Sequence, residues 1–306
     1  MALKMVVLAK QVPDTKRISG KVMKDDGTVN RAALPMIYNP EDLSALGLAV
    51  RLRARYGGHV TVISMGTPMA AAILRESLYR GADDAILLTD RRLAASDTLA
   101  TSYALSVAVA KVGQVDLVLC GRQAIDGDTA QVGPQTAEKM GIPQLTYVAD
   151  VAWVKDGRLE ARRDWGDGYE VVRCPLPALL TVSGEHQDPP PPQAKRLLKW
   201  RHSRTPSEVA VEARVALAPR KAPAEEINDA ITRKRAELGE RGLLLKEWSA
   251  ADIGAEVGRV GKVGSPTMVK QIDSIVLKGS TYKNIEPTEE GLRDLIAELR
   301  RDRLIP

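Results

Sequence analysis

VDLVLCGRQAIDGDTAQVGPQTAEKMG (115–141) opens on a short apolar run, passes through a glycine-rich polar turn and ends in a segment of helical composition. A Val- and Leu-rich run bounded by turn residues reads as a buried parallel strand. The turn that follows, Gly121 to Gly133, resembles a phosphate cradle, because glycines, a Thr and a Gln leading into a helix offer bare backbone N–H groups to an anion. Pro134 removes no useful donor if it lies in the first helical turn, and the amides of Gln131, Val132 and Gly133 are then free to point at a phosphate. Yet Asp126 and Asp128 sit in the same loop. Two readings stay open. In one, this is only a capped helix, with Asp126, Asp128 or Thr129 accepting N–H bonds from its first turn. In the other, a capping carboxylate satisfies N–H groups on one side of the loop while Arg122 and the remaining amides face a ligand.

The same strand-then-helix grammar extends outward. LKMVVLAK (3–10), HVTVISMG (59–66) and DAILLTD (84–90) are further apolar runs of strand type. NPEDLSALGLAVRLRARYGG (39–58) reads as a helix that starts at Asn39 and Pro40 and stops at Gly57 and Gly58. TPMAAAILRESLYRG (67–81) repeats this with Thr67 as N-cap, Pro68 at the first position and Gly81 as the stop. SDTLATSYALSVAVAKVG (96–113) is a third helix, with Asp97 as a candidate cap and Thr98 and Thr101 three apart on one face of its first turn. Alternation at this spacing predicts an α/β, doubly wound, mostly parallel sheet, with ligands beyond the carboxyl ends of the strands.

After Gly141 the period shortens to two. LTYVADVAWVKDGRLEARRDWGDGYEVVRCPLPALLTV (145–182) reads as antiparallel strands that extend one edge of the sheet. DPPPP (188–192) reads as a stiff spacer leading away from it. The basic stretch KRLLKWRHSR (195–204) is either a solvated face with Leu197, Leu198 and Trp200 packed beneath, or a docking site anchored by Trp200. A charged helical segment around 222–246 and a final helix, TEEGLRDLIAELRRD (288–302), complete the chain. The division expected is 1–185 for the nucleotide-binding domain, 186–245 for a partner-facing insertion and 246–306 for a C-terminal arm.

Composition removes several function classes. No apolar run approaches a membrane span and the N-terminus is unlike a secretory signal, so a cytoplasmic protein is expected, peripheral at most to a membrane complex. Two cysteines, Cys120 and Cys174, and three histidines cannot supply a cluster or a metal framework. The net charge of +5 is dispersed and Phe is absent, which argues against nucleic acid. Redox chemistry would require an organic cofactor, and no residue is singled out as catalytic.

CGRQAIDGDTAQVGPQTAE (120–138), YNPEDLSALGLAV (38–50), SDTLATS (96–102) and WSAADIGAEVGRVGKVGSPT (248–267) together resemble the β subunit of electron transfer flavoproteins. The resemblance implies a heterodimer with an electron transfer flavoprotein α subunit and an adenine-nucleotide-binding sheet that holds structural AMP or, in the electron-bifurcating branch, FAD. DTLAT resembles the bifurcating branch. Contacts to the adenosine and phosphates are then implied for Ala9, Asn39, Met65, Gly121 to Gln123 and Asp126 to Gly133, with Thr98 and Thr101 near the isoalloxazine ring and Asp97 and Pro134 as further cofactor-binding residues. NADH is the implied hydride donor. The implied acceptors are a ferredoxin or flavodoxin on one branch, and on the other a quinone or acyl-CoA couple reached through a dehydrogenase or membrane quinone oxidoreductase. A non-redox adenine-nucleotide module is the competing reading. The stretch GEHQDPPPPQAKRLLKW (184–200) departs from the family's recognition loop, which leaves the partner dehydrogenase open.

Overall fold

A computed structural model of the chain describes residues 2–14, 34–183, 189–267 and 283–305. Its centre is a nine-stranded sheet built on β1 (Leu3–Leu8). A separate two-stranded ribbon pairs β2 (Gln11–Pro13) with β3 (Met36–Tyr38). From there the chain runs through α1 (Pro40–Tyr56), β4 (Gly58–Met65), α2 (Ala71–Arg80), β5 (Asp84–Leu88), α3 (Thr98–Val112), β6 (Leu117–Gly121) and α4 (Val132–Met140). Next come β7 (Gln144–Lys155), β8 (Arg158–Asp164), β9 (Tyr169–Pro175) and β10 (Ala178–Val182). The last elements are α5 (Ala194–Trp200), α6 (Pro206–Leu217), α7 (Ala224–Glu240), β11 (Lys246–Trp248) and α8 (Glu289–Arg301).

Strand order is β11-β5-β4-β1-β6-β10-β7-β8-β9. The pairings from β11 through β10 to β7 are parallel, whereas β7-β8 and β8-β9 are antiparallel. The doubly wound, mostly parallel sheet with an antiparallel extension is therefore present. PALLTV (177–182) does not belong to that extension: β10 lies parallel between β6 and β7. Its residues 178–182 are buried without a break, and a strand covered on both faces carries no two-fold signal.

Successive residues of β1 feed opposite cores. Met5 and Val7 face a layer with Leu46, Leu48 and Leu74, while Val6 and Leu8 face one with Tyr103, Ala104 and Val109. Full burial of each large aliphatic side chain contributes about 1.5–3 kcal/mol. Beyond β5, a third small cluster of Val209, Ile231, Leu238 and Leu243 holds α6 against α7. Thr205 and Glu208 form a reciprocal cap on α6, and Arg75 of α2 meets the Glu208 carboxylate at 2.8 and 2.9 Å.

The basic stretch divides between its two readings. Trp200 is partly buried between the first and third cores, not free as an anchor, whereas Leu198 is 57% exposed. The proline run does not lead away from the sheet: Arg80 of α2 donates to the Pro190 carbonyl and Gln193 N–H to the Tyr79 carbonyl. Residues 184–188 and 268–282 of the insertion and arm lie outside the described residues. Among the described residues, no helix is long and apolar enough to cross a membrane.

Candidate functional site

The chain winds from β1 to β4 and β5 on one side and places β6 on the other, so β1/β6 is the switch point where a crevice opens beyond the strand ends. There the structure has a cavity of about 740 Å³. Ala9, Met65, Asp97, Thr98, Thr101, Gly121, Arg122, Gln123, Asp126, Gly127, Asp128, Thr129, Ala130, Gln131, Val132 and Gly133 all line it. Asn39 and Pro134 do not. Asn39 is fully buried behind the loop, and Pro134 is the third residue of α4, set back from the mouth.

One wall is the 121–133 loop, and the first turn of α1 holds it. Asn39 does not cap α1. Its amide donates to the Gln123 carbonyl at 2.9 Å and its carbonyl accepts from Ile125 N–H at 3.2 Å. Glu41 accepts Gln123 N–H at 3.0 Å and the Arg122 guanidinium at 2.8 Å. Arg122 also lies 5.6 Å from the Tyr147 ring centre, so its charge is shared with the protein and not held only for a ligand. Asp42 accepts Gly121 N–H at 2.8 Å and Lys10 N–H at 2.9 Å, joining the ends of β6 and β1. Desolvation pushes Asp42 up from 3.8 to about 7 against these hydrogen bonds. Because the folded value lies above the unfolded one, its contribution to stability is fully present below about pH 4 and is lost as pH rises toward 7.

The two loop carboxylates do not cap α4, as either reading of the sequence supposed. Gln131 is its N-cap residue, with no side-chain cap bond. Asp126 is instead neutralised by Lys10, whose ammonium is 2.7 and 2.8 Å from its oxygens. Asp128 accepts from the Gln123 side-chain amide at 3.0 Å. The cradle keeps its donors: among the described residues, the amides of Thr129, Ala130, Gln131, Val132 and Gly133 have no acceptor. Positive φ at Asp128 (50°) and Ala130 (53°), before the α-region Gln131, is the alternation that turns consecutive amides to one side. The loop thus fits an anion. Gly127 has open space around it, whereas a Cβ on Gly133 would meet Cys120 Sγ at 2.8 Å and one on Gly121 would meet Glu41 Cβ at 2.6 Å. The latter two glycines serve close packing of α4 and α1 on the sheet, not access for a phosphate.

The opposite wall is the start of α3. Asp97 does cap its own helix, accepting Ala100 N–H at 2.9 Å, while its second oxygen accepts the Thr267 hydroxyl at 2.8 Å and amide at 3.1 Å. Burial pushes the Asp97 pKa up, and these hydrogen bonds outweigh it, leaving it below the ordinary carboxylate value. Its carboxylate is therefore spent on structure at the edge of the cavity, the capping use being one the sequence offers. Thr98 donates its hydroxyl to the Gln131 side-chain carbonyl at 2.9 Å, bridging the two walls. Residues 248–267 form a strap behind this wall. Gly261 N–H reaches the Ser96 hydroxyl, and a Cβ there would lie 2.0 Å from the Arg92 carbonyl oxygen. Asp90, also lining the cavity, is lowered to about 2, chiefly by hydrogen bonds from the Arg92 side chain.

Sequence reasoning missed Lys10, Glu41 and Asp42. The signal available is PED directly after Asn39, two acids in the first turn of a helix, whose charge is favourable at a helix N-terminus whatever else it does.

Residues 26–201 match the family model described as Electron transfer flavoprotein domain. The chain belongs to the electron transfer flavoprotein family. It is similar to the electron transfer flavoprotein subunit beta of Clostridium acetobutylicum, 38% identical over 99% of this chain and 100% of the relative. It is also similar to Protein FixA of Bradyrhizobium diazoefficiens, 38% identical over 95% of this chain and 89% of the relative. A third relative is the caffeyl-CoA reductase-Etf complex subunit CarD of Acetobacterium woodii, 46% identical over 61% of this chain and 71% of that one. The electron transfer flavoprotein β chain thus has a role in electron transfer, and β subunits of this family pair with α subunits.

Proposed function

We propose that this electron transfer flavoprotein β subunit binds FAD in the β1/β6 crevice and works in flavin-based electron bifurcation. One observation carries the reading: a single cavity runs from the unpartnered amides of residues 129–133 to Thr98 and Thr101 on the facing helix. An AMP-sized ligand needs only the first part. In this reading the loop amides take the pyrophosphate, Lys10 stays paired with Asp126 and offsets its charge, and the Thr98 and Thr101 hydroxyls orient the ring. When bound, FAD would supply the redox chemistry, two-electron oxidation of NADH and one-electron delivery to a ferredoxin or flavodoxin and, through the α subunit, to a quinone or acyl-CoA acceptor. The relatives named as reductase-complex subunits support this branch.

The Thr98–Gln131 bridge favours a second reading, because it commits the Thr98 hydroxyl to the protein and leaves the cradle end of the cavity as the part built for a ligand, which AMP would fill. Extraction of cofactors from the purified αβ complex separates the two. Two FAD per heterodimer are expected, and one FAD with one AMP selects the non-bifurcating reading. A complex without adenine nucleotide in this subunit would reject both.

A further inference from the structure

Among the described residues, five carboxylates line the cavity: Asp42, Asp90, Asp97, Asp126 and Asp128. Asp90 is paired with Arg92 and Asp126 with Lys10. Asp97 is saturated by amides and the Thr267 hydroxyl, and Asp128 lies on the exposed side of the loop with the Gln123 amide. Asp42 differs from all of them, being 6% exposed and, among the described residues, without a cation.

The groups facing Asp42 explain why it has none. Just before its own helix stands Asn39, whose amide donates to the Gln123 carbonyl, and on the helix is Glu41, which repels it. From the end of β1 comes the Lys10 amide, but the Lys10 ammonium is committed to Asp126. From β6 come the Gly121 amide and the buried Cys120 thiol, whose pKa burial pushes up, and beyond them Arg122, which is committed to Glu41. Tyr38 lies behind, neutral and buried. A buried carboxylate in this setting is balanced between charged and neutral forms, and any anion entering the same cavity tips it toward the neutral one.

We propose that Asp42 is the positioning residue that joins the two sides of the crevice, and that it takes up a proton when an anionic nucleotide binds. The inference rests on the nucleotide reading above. Coupling of this kind is reciprocal, so the nucleotide must bind more tightly as pH falls through neutrality. FAD is a suitable probe because its pyrophosphate, a diester, keeps a fixed charge over this range.

The test uses the full chain in its αβ complex, stripped of nucleotide from this site and titrated with FAD by calorimetry in two buffers of unlike ionisation enthalpy. At pH 7 the native protein is expected to take up as much as about half a proton per FAD, and Asp42→Asn none. The native dissociation constant is expected to rise about fivefold from about pH 6 to about pH 8, and that of Asp42→Asn to stay flat. Equal proton uptake and equal pH profiles in both proteins would overturn the coupling and leave the nucleotide site standing. Should Asp42→Asn not fold, a native affinity for FAD that is flat across this range overturns it alone. If neither FAD nor AMP binds the native complex, the nucleotide reading fails and this inference with it.

Discussion

The two walls of the crevice use the same sequence device to opposite ends. Both begin a helix with acids beside a ligand-sized space: Glu41 and Asp42 in the first turn of α1, and Asp97 at the N-cap of α3. Asp97 serves its own helix and clasps the strap at Thr267. Glu41 and Asp42 give nothing to the end of α1. They reach across to the amides of Gln123, Gly121 and Lys10, and so hold the anion loop in shape. A carboxylate at a helix start is favourable in either use, and which use prevails depends on what backbone lies within reach.

The contrast breaks most completely at Gly121. Gly121→Val puts side-chain atoms where Glu41 Cβ and the Asp42 amide are 2.6 and 2.7 Å from the position of a Cβ. It should cost about 3 kcal/mol through overpacking, seen as a lowered denaturant midpoint together with loss of bound nucleotide. A midpoint within error of the native one would mean that α1 is not seated on β6 as described.

Glu41→Ala leaves the sheet packed but frees Arg122 and the Gln123 amide. Loss of a hydrogen-bonded charge contributes about 1.5–3 kcal/mol, so nucleotide affinity should fall about tenfold to a hundredfold, as measured by equilibrium titration. Unchanged affinity would show that the loop holds its shape without α1.

On the other wall, Asp97→Ala should cost about 1 kcal/mol for the lost cap and, by releasing Thr267, speed proteolytic cleavage near residues 262–267. Cleavage at the native rate would separate the strap from the cap. The smallest effect is expected at Asp128→Asn. Asparagine tolerates the positive φ and still accepts from Gln123, so thermal melting should shift by no more than the equivalent of about 0.5 kcal/mol. Nucleotide binding tighter by tenfold or more would mean that the Asp128 charge opposes the ligand after all.

Much of this was legible in the chain. Short Val- and Leu-rich runs, Pro40 at a helix start and glycine stops at Gly57, Gly81 and Gly141 mark the α/β alternation, because they report the local backbone and the burial of each strand. The free amides at the end of the 121–133 loop were legible because unpaired N–H groups before a helix follow from backbone geometry alone. PALLTV misled because it sits next to a hairpin in sequence while its place in the sheet, between β6 and β7, is a long-range pairing.

Local sequence, then, determined the elements, the cradle and the Asp97 cap, all of which depend on residues within a few positions of one another. The tertiary structure alone decided where each charge is spent: Lys10 on Asp126, 116 residues away; Arg122 on Glu41, 81 residues away; and Asp42, among the described residues, on backbone amides and no cation. A side chain's partner is set by which backbone the fold brings within about 3 Å, and no periodicity along the chain encodes that distance.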